Sequence, residues 1–453
     1  MKRIIGKLII YGVLILLISC RAGKDKESLP NIIIILADDL GWSQLGCYGG
    51  QYQTPNIDGL AAGGMRFTNA YASAAVCSPT RAALMTGKYP ARLHLTDFIK
   101  GSPCPDSLLK QPVWQKYLPL EEITMGEVFR EYGYRTAIFG KWHLSIEKNP
   151  PESEPFNPDK QGFDEFMVTY KPVKGLTDPE HDPHNVDSIT NRAIKFMEEN
   201  HDRPFLMIVS HNSIHDPVME GLGRTRAYMA SFPSPKSRVV PELGAMVNRL
   251  DDGTGRLFAK MKDLNLEENT IVLFCSDNGG KETYASQAPF RKGKGWLYEG
   301  GIRVPMIARW PGRIEAGSQN TTITYTIDIL PTILELAGLS RPGQPMDGIS
   351  IAGELLGNGH MEERSQYWHY PHYHRGSGMK PASAIRKGKF KLIEWHEEFL
   401  KGESAWELYD LETDPGEKRD LSADKTEILE ELRLDLHHWR DEVNAQMPEI
   451  NDE

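Results

Sequence analysis

The chain has 453 residues, enough for one large α/β domain with a buried core and a smaller second domain. Its formal net charge of −10 is modest for this length, and no long block of lysine or arginine follows the first few residues. Electrostatics therefore gives no reason to expect a nucleic-acid partner.

The first twenty residues have the features of an export signal. A basic start at 1–7 precedes an apolar stretch at 8–18, which is too short to span a bilayer comfortably. The sequence Leu17-Ile18-Ser19-Cys20 resembles the lipobox of bacterial lipoproteins, in which Cys20 is lipidated; the alternative is simple signal cleavage. The polar tract 21–30 predicts a solvated tether. We expect an exported lipoprotein, periplasmic or at the outer-membrane surface, attached to the membrane only through its lipid.

Short apolar runs alternate with helical patterns along the next part of the chain. Strand-like runs occupy 31–36, 136–139, 205–209 and 270–274, and helical patterns include 124–132 and 188–199. Such continuous β-branched runs are typical of strands buried on both faces of a parallel sheet. The alternation predicts a doubly wound α/β sheet with helices on both faces.

Polar residues follow each of these four strand-like runs. They are Asp38 and Asp39, then Lys141 and His143, then His211 to His215, and finally Asp277 and Asn278. Because ligands in open α/β sheets bind beyond the carboxyl ends of the strands, four strands should direct these groups into one crevice. An extended backbone would send both Lys141 and His143 to the same side.

The acidic residues at two of these strand ends indicate a metal site. Carboxylate and amide oxygens suit Ca²⁺ or Mg²⁺ better than Zn²⁺. Each pair taken alone is equally typical of a capped turn. His211 and His215 have the HxxxH spacing of a zinc site, but the helix and the adjacent glutamate of that motif are absent, so a zinc site is disfavoured.

Cys77 opens the sequence Cys77-Ser78-Pro79-Thr80-Arg81, which leads into helix-forming residues and a glycine stop at Gly87. Arg81 comes four residues after Cys77, so the two lie one helical turn apart on the same face. Read alone, the segment is an ordinary turn into a helix. Unpaired N–H groups at the start of such a helix also favour an anion.

The composition changes after Gly348. A segment rich in histidine and tyrosine, 367–374, leads to three strand-like runs and an amphipathic helical pattern at 426–443. We therefore predict a first domain at 31–350 and a smaller C-terminal α+β subdomain with an antiparallel sheet at 351–453.

Together these motifs resemble those of the type I, formylglycine-dependent sulfatases of the alkaline phosphatase superfamily. The resemblance covers essentially Asn31 to Leu421 and rests on strings that occur in order: Cys77–Lys88, Gly140–Leu144, Arg291–Pro305, Leu408–Leu411 and Asp414-Pro415. It implies an alkaline-phosphatase-like α/β fold with a small C-terminal subdomain. It also implies hydrolysis of sulfate esters by a sulfuric ester hydrolase.

By this resemblance a dedicated maturase oxidises Cys77 to Cα-formylglycine (3-oxoalanine), and the hydrated aldehyde is the nucleophile. A cation would polarise both the sulfate and this hydrate, with Ca²⁺ expected and Mg²⁺ the alternative. The implied metal ligands are Asp38, Asp39, Cys77, Asp277 and Asn278.

The resemblance also implies the remaining catalytic residues. Arg81 would hold the aldehyde hydrate and sulfate oxygens. Lys141 and Lys294 would bind sulfate, and Lys294 would share in protonating the leaving alcohol. His143 would deprotonate the remaining hydroxyl so that sulfate is eliminated. His215 would bind sulfate and protonate the leaving group, although isoleucine replaces the proline that usually precedes it.

A surface lipoprotein with this chemistry would act on sulfated carbohydrates, in an exo manner. The resemblance favours galactose or N-acetylgalactosamine sulfates, with the ring position undecided. Candidate substrate-binding residues are His184, His369, His372, His374 and Arg375. For the last four, aromatic and histidine packing between domains is an equal alternative. Two other functions stay open: a phosphodiesterase or phosphonate hydrolase of the same superfamily, and a non-catalytic glycan-binding lipoprotein.

Five cysteines are present. If Cys20 is lipidated and Cys77 is converted, three remain, so at least one stays a free thiol. Cys275, beside an apolar run, is expected to be a buried small hydrophobe. The sequence leaves open whether Cys47 and Cys104 form a disulfide.

Overall fold

The computed structural model describes residues 29–147, 151, 153–172, 181–231, 240–402 and 405–452. The predicted signal peptide, Cys20 and residues 21–28 of the predicted tether lie outside these residues. Among the helices that are described, none combines the length and the apolar character needed to cross a bilayer.

The strands, in chain order, form a large sheet, a smaller sheet and two short ribbons. They are β1 Asn31–Ala37, β2 Met65–Phe67, β3 Ala70–Tyr71, β4 Leu109–Lys110, β5 Arg135–Gly140, β6 Glu165–Val168, β7 Phe205–Ser210, β8 Thr270–Ser276, β9 Met306–Arg309, β10 Ser318–Asn320, β11 Thr324–Tyr325, β12 Gln366–Tyr370, β13 Ala382–Lys387, β14 Phe390–Trp395, β15 Trp406–Asp410 and β16 Glu449–Ile450.

The large sheet has eight strands in the order β10-β2-β9-β8-β1-β7-β5-β6. Strands β8, β1, β7, β5 and β6 run parallel, whereas β9 is antiparallel to both β8 and β2. The four predicted strand-like runs are therefore β1, β5, β7 and β8, which are neighbours in the sheet. Their carboxyl ends meet at one edge, as the sequence predicts.

Eleven described α-helices accompany these strands. They are α1 Pro55–Ala62, α2 Cys77–Thr86, α3 Met125–Glu131, α4 Val186–Asn200, α5 Leu222–Ser231, α6 Pro241–Asp263, α7 Glu299–Ile302, α8 Ile329–Leu336, α9 Ala352–Leu355, α10 Glu398–Lys401 and α11 Thr426–Glu442.

The central strand β1 is buried on both faces because helices cover both sides of the sheet. Ile32, Ile34 and Leu36 pack in one core cluster with residues of α2, α3, α8 and α9. Ile33 and Ile35 pack in a second cluster with residues of α1, α4 and α6. This alternation confirms the doubly wound architecture, with a mixed rather than purely parallel sheet.

The C-terminal part forms an antiparallel sheet in the order β12-β13-β14-β15, against which α11 packs. A third core cluster joins it to the large domain, with Tyr71 and Tyr325 from one side and Trp368 and Trp439 from the other. The predicted smaller antiparallel sheet is thus confirmed. The limits 31–350 and 351–453 stay predictions, although α9 packs with the core of the large sheet.

The described cysteines Cys47, Cys77, Cys104 and Cys275 are all free thiols. The Cys47–Cys104 disulfide that the sequence leaves open is therefore not formed. Cys275 is fully buried within the large sheet, as expected for a small apolar side chain.

Candidate active site

A cavity of about 480 Å³ lies where the sequence places the crevice. Cys77 lines it from the start of α2, His143 from the segment after β5, and His215 from the segment after β7. Lys294 and His374 reach it from later parts of the chain. The structure therefore brings together groups that are far apart in the sequence.

Cys77 is the first residue of α2, a helix whose ten residues are all buried. The helix begins after Val76, whose backbone is extended, and ends at Gly87, where the left-handed backbone (φ 69°) favours glycine. The Cys77 side chain thus lies at a helix N-terminus, where unpaired backbone N–H groups favour negative charge. Its Sγ atom is 3.4 Å from Nδ1 of His143.

His143 adopts the left-handed backbone conformation (φ 56°), which is uncommon outside glycine and is often found at functional sites. The prediction that an extended backbone aligns Lys141 with His143 is therefore wrong. Lys141 instead bonds both carboxylate oxygens of Asp38, at 2.9 and 2.8 Å, and is only 2% exposed. His143 lines the cavity, whereas Lys141 is buried beside Asp38 and is not among the lining residues.

Asp38, Asp39, Asp277 and Asn278 form one buried cluster, as the sequence predicts. The backbone N–H of Asp39 donates to Oδ1 of Asp277 at 3.2 Å, and Nδ2 of Asn278 donates to Oδ1 of Asp39 at 2.9 Å. Burial raises the pKa of Asp38 to about 7; Lys141 opposes this shift, and the Asp277 and Asp39 carboxylates add to it. The carboxyl group of Asp38 is therefore a member of the cluster that burial disfavours as an anion.

Two oxygens of this cluster fit a bound cation. Oδ2 of Asp39 and Oδ1 of Asn278 are buried and have no hydrogen-bond partner, which is costly unless another ligand satisfies them. Asp38, Asp39 and His215 each offer a ligand atom, and these atoms lie within 4.8 Å of one another. Hard oxygen donors of this kind suit a divalent cation such as Ca²⁺ or Mg²⁺. His215, which the sequence assigned to sulfate, is an additional ligand candidate beside these two carboxylates.

Arg81 has its donors on protein groups rather than in the cavity. Its Nε and Nη2 atoms donate to Oδ2 of Asp277, at 2.9 and 2.7 Å, and Nη1 donates to the Lys141 carbonyl and to Ser210 Oγ. The side chain is 2% exposed and does not line the cavity. In this structure Arg81 thus holds Asp277 through two donors, and its contact with the aldehyde hydrate and sulfate stays a prediction.

Lys294 projects into the cavity from a glycine-rich loop. Its Nζ atom donates to Oδ1 of Asp39 at 2.5 Å. Burial lowers the pKa of Lys294, but the negative groups around it, Asp39 first and then Cys77, Asp38 and Asp277, together outweigh burial and raise that pKa well above its usual range. The next residue, Gly295, has φ 85°, and a Cβ atom there would lie 2.4 Å from Nδ1 of His374. Only glycine fits this turn beside the cavity.

His215 is oriented by its own neighbour. Its Nδ1–H donates to the backbone carbonyl of Asp216 at 2.6 Å, which turns Nε2 towards Oδ2 of Asp39, 3.8 Å away. Burial and the nearby Lys294 ammonium lower the pKa of His215 well below its usual value, and they outweigh the attraction of Asp39.

Of the five substrate-binding candidates, only His374 lines the cavity. His369 bonds Ser383 and the Gln446 carbonyl, and His372 bonds Thr96, so both are packing residues of the domain junction. His184 is buried against the Pro217 carbonyl. Arg375 is exposed and lies against Cys104. These four do not reach the cavity because their side chains are used elsewhere or point away from it.

Several lining residues were not predicted. They include Phe98, Ser102, Tyr170, Lys171, Asp216, Lys281 and Trp296. Tyr170 and Lys171 follow β6, so the same strand-end rule would have found them. Their strand was missed because it is a short edge strand that is only half-buried.

The profile of the family described as Sulfatase matches residues 30–339, more than half of the chain. A second profile, described as N-sulphoglucosamine sulphohydrolase, C-terminal, matches residues 291–442. The chain belongs to the sulfatase family. It is a sulfuric ester hydrolase of the alkaline phosphatase superfamily, and its fold is the one that the sequence motifs imply.

Individual relatives agree with this assignment. Arylsulfatase A of Homo sapiens is 32% identical over 463 residues, covering 90% of this sulfatase and 86% of the relative. N-acetylgalactosamine-6-sulfatase of Canis lupus familiaris is 31% identical, with 89% and 84% covered. The crystal structure of Ps i-CgsB in complex with k-i-k-neocarrahexaose superposes with a TM-score of 0.76 at 27% identity, covering 91% of this chain and 93% of that one.

Proposed function

We propose that this sulfatase removes sulfate from carbohydrates and uses a formylglycine made from Cys77 as its nucleophile. The observation that carries the proposal is the position of Cys77. It starts a helix, lies 3.4 Å from a histidine nitrogen, and shares its cavity with Lys294 and His215. Such a cavity provides a nucleophile position, a base and cationic groups for an anion within one enclosure.

Two groups would be added to the chain. A maturase would oxidise Cys77, and the strand-end residues Asp38, Asp39, Asp277 and Asn278 would hold the cation, for which Ca²⁺ is favoured. When present, the hydrated aldehyde offers a hydroxyl nucleophile, and the cation lowers its pKa and polarises the sulfate.

The side chains of the chain perform the proton transfers and bind the anion. Nδ1 of His143 faces residue 77 and accepts a proton from it. The Lys294 ammonium, held protonated by Asp39, binds the sulfate and donates towards the leaving oxygen. Nε2 of His215 faces the sulfate, because its Nδ1–H is used by the Asp216 carbonyl, and it donates to the anion when the ring is protonated. Lys141 balances the charge of Asp38.

The cavity supports a carbohydrate substrate. Its volume of about 480 Å³ falls within the range of roughly 300–1,000 Å³ that is usual for small-molecule sites. Trp296 and Tyr170 offer aromatic surface, and His374 and Ser377 offer polar groups for hydroxyls. Two similar proteins support a sugar substrate: one is named N-acetylgalactosamine-6-sulfatase, and the other was crystallised with a neocarrahexaose. We favour exo removal of sulfate from galactose or N-acetylgalactosamine.

A substrate panel tests this function. The enzyme, co-expressed with a maturase, is assayed on galactose and N-acetylgalactosamine monosulfated at each ring position, on an aryl sulfate, and on phosphate diester and phosphonate analogues. We expect turnover of one sugar with sulfate at one position. Equal rates on all the sugars with preference for the aryl sulfate would overturn the carbohydrate assignment. Preference for the phosphorus esters would overturn the choice of sulfate as the group that is removed.

We also propose that Cys20 carries a lipid, on the basis of the sequence Leu17-Ile18-Ser19-Cys20. Cys20 lies outside the described residues, so the support comes from sequence alone. Wild-type protein should partition into the detergent phase and the membrane fraction, and Cys20→Ala should not. Membrane association that survives this substitution would contradict the lipid anchor.

A further inference from the structure

The backbone of a loop, residues 96–100, contacts the histidine that faces residue 77. The carbonyl oxygen of Ile99 lies 2.6 Å from Nε2 of His143. The N–H of the same residue donates to Oγ of Ser78 at 3.1 Å. Ile99 and Ser78 are both fully buried. The loop therefore connects the start of α2, next to Cys77, with the opposite side of the His143 ring.

This contact selects one tautomer of the ring. A backbone carbonyl can only accept a hydrogen bond, so Nε2 of His143 must carry the proton. In the neutral ring Nδ1 then keeps its lone pair, and this atom is the one that lies 3.4 Å from Sγ of Cys77. The other tautomer would place two acceptors together at Ile99 and leave no acceptor facing residue 77.

The loop is held from its other side by the C-terminal sheet. The hydroxyl of Tyr370, the last residue of β12, donates to Oδ1 of Asp97 at 2.8 Å. Oγ1 of Thr96 lies 2.8 Å from Nε2 of His372. Asp97 and Tyr370 are almost fully buried, so their hydrogen bond is shielded from water.

We propose that Ser78 and Tyr370 are positioning residues, which fix the 96–100 loop so that the Ile99 carbonyl holds His143 in the tautomer whose unprotonated Nδ1 faces residue 77. The inference rests on the proposed role of His143 as a base. It gives the C-terminal sheet an indirect part in the reaction, through the loop that Tyr370 holds. A loop free to shift would let the ring rotate or change tautomer, and the base would lose its alignment.

The test compares two tyrosine hydroxyls in the same aromatic core. Tyr370→Phe removes the hydrogen bond to Asp97, whereas Tyr325→Phe removes a hydroxyl that bonds the Tyr367 carbonyl. Because a positioned base contributes roughly 10²- to 10⁴-fold, we expect Tyr370→Phe to lower kcat about ten-fold with KM changed less than about two-fold. Tyr325→Phe should leave both constants near wild type.

A second readout reports the tautomer itself. In protein labelled with ¹⁵N-histidine, the His143 signals, assigned by their loss in His143→Gln, should show a protonated Nε2 in the wild type and in Tyr325→Phe. Tyr370→Phe should shift them towards a tautomer mixture. Ser78→Ala removes the hydrogen bond to the loop from the side of α2 and should shift the His143 signals in the same way. Its rate is normalised to the fraction of residue 77 that is converted, measured by mass spectrometry. If Tyr370→Phe does not fold, Ser78→Ala provides the test of the positioning role.

The outcomes separate this inference from the proposed function. A wild-type ring protonated on Nδ1, or loop variants that match Tyr325→Phe in rate and spectrum, would overturn the positioning role alone. Full activity in His143→Gln would overturn the proposed role of His143 as the base, and the inference with it.

Discussion

The ammonium group of Lys294 lies 2.5 Å from Oδ1 of Asp39, although 255 positions separate the two residues in the sequence. Asp39 follows the central strand of the large sheet, and Lys294 belongs to a glycine-rich loop. The pair is nearly buried, with 9% and 2% of the side chains exposed. Its burial keeps the positive charge at the edge of the cavity strong, because little water screens it.

Replacing Lys294 should therefore impair catalysis. We expect Lys294→Gln to lower kcat/KM roughly 10²- to 10³-fold, as for other buried groups that stabilise developing charge. The matched control is Lys292→Gln, two residues earlier, whose ammonium lies over the Trp296 ring at 4.8 Å. Steady-state kinetics on the preferred sulfated sugar makes the comparison, and equal losses in both variants would contradict the assignment.

Cys77→Ala should abolish hydrolysis and preserve the fold. The Cys77 side chain is small, and its substitution removes only the sulfur near His143, so thermal unfolding should change by only a few degrees. Cys47→Ala, which alters a half-buried cysteine outside the cavity, should stay fully active. Mass spectrometry of the peptide containing residue 77 should find formylglycine in the active protein. Substantial turnover by Cys77→Ala would show that another group is the nucleophile.

The sheet and much of the site could be predicted because strand-length apolar runs end at the residues that matter. Asp38 follows one such run and Asp277 another, and parallel strands bring their ends together. Tyr170 could not be predicted in the same way, because the strand before it is a short edge strand with half-buried residues. The histidine-rich segment was ambiguous: composition does not tell which side chains face the cavity, and only His374 does.

The contact between Ile99 and His143 could not be predicted from the types of the side chains. It is made by a backbone carbonyl, which every residue possesses, so the identity of residue 99 carries no signal for it. A contact of Arg81 could not be predicted for a related reason. Its spacing from Cys77 places both residues in one helix, but the spacing could not show that Asp277, far along the chain, takes two of its donors.

Removing the metal should leave two buried oxygens, Oδ2 of Asp39 and Oδ1 of Asn278, without a partner and so destabilise the protein. We expect chelation to abolish activity and to lower the unfolding temperature, and added Ca²⁺ to restore both more effectively than Mg²⁺. A ligand that binds only the folded state raises stability in proportion to RT ln(1 + [L]/Kd).

The control for this experiment is another buried aspartate. Asp39→Asn should lose the Ca²⁺-dependent rise in unfolding temperature. Asp251→Asn should keep it, because Asp251 accepts hydrogen bonds from Asn56 and Ile57 away from the cluster. An unfolding temperature of the wild type that does not respond to Ca²⁺ would argue against a cation at this site.

Lys391 is a fully buried cation between two buried carboxylates. Its Nζ atom lies 3.0 Å from Oε1 of Glu299 and 2.8 Å from Oε1 of Glu417, and it links the C-terminal sheet to α7. Removing one member of a buried ionic group leaves the others uncompensated, so Lys391→Met should lower the free energy of unfolding by about 3–5 kcal/mol. Lys389→Met, at a half-exposed ion pair with Asp410, should cost less than about 1 kcal/mol. Denaturant unfolding of both variants tests the contrast, and similar losses would contradict it.

Buried neutral histidines should make the fold sensitive to acid. Burial, reinforced by the nearby Arg440 guanidinium, lowers the pKa of His369 to about 4, even though the Gln446 carbonyl favours the charged ring. Burial lowers the pKa of His184 and of His211 to about 4 as well. In the unfolded chain these rings titrate near their ordinary value of 6.5. Between pH 6.5 and 4 the unfolded state therefore binds more protons than the folded state.

It follows that the stabilising contribution is fully present above pH 6.5 and is lost as the pH falls towards 4. In that window one such histidine changes the free energy of unfolding by about 1.4 kcal/mol per pH unit. His369→Gln should therefore flatten the decline of stability between pH 6 and pH 5 by roughly this amount. His201→Gln, at an exposed ring that bonds the Glu198 carbonyl, should leave the slope unchanged. Denaturant unfolding at each pH measures the slopes, and a wild-type slope in His369→Gln would show that this ring is not neutral in the folded protein.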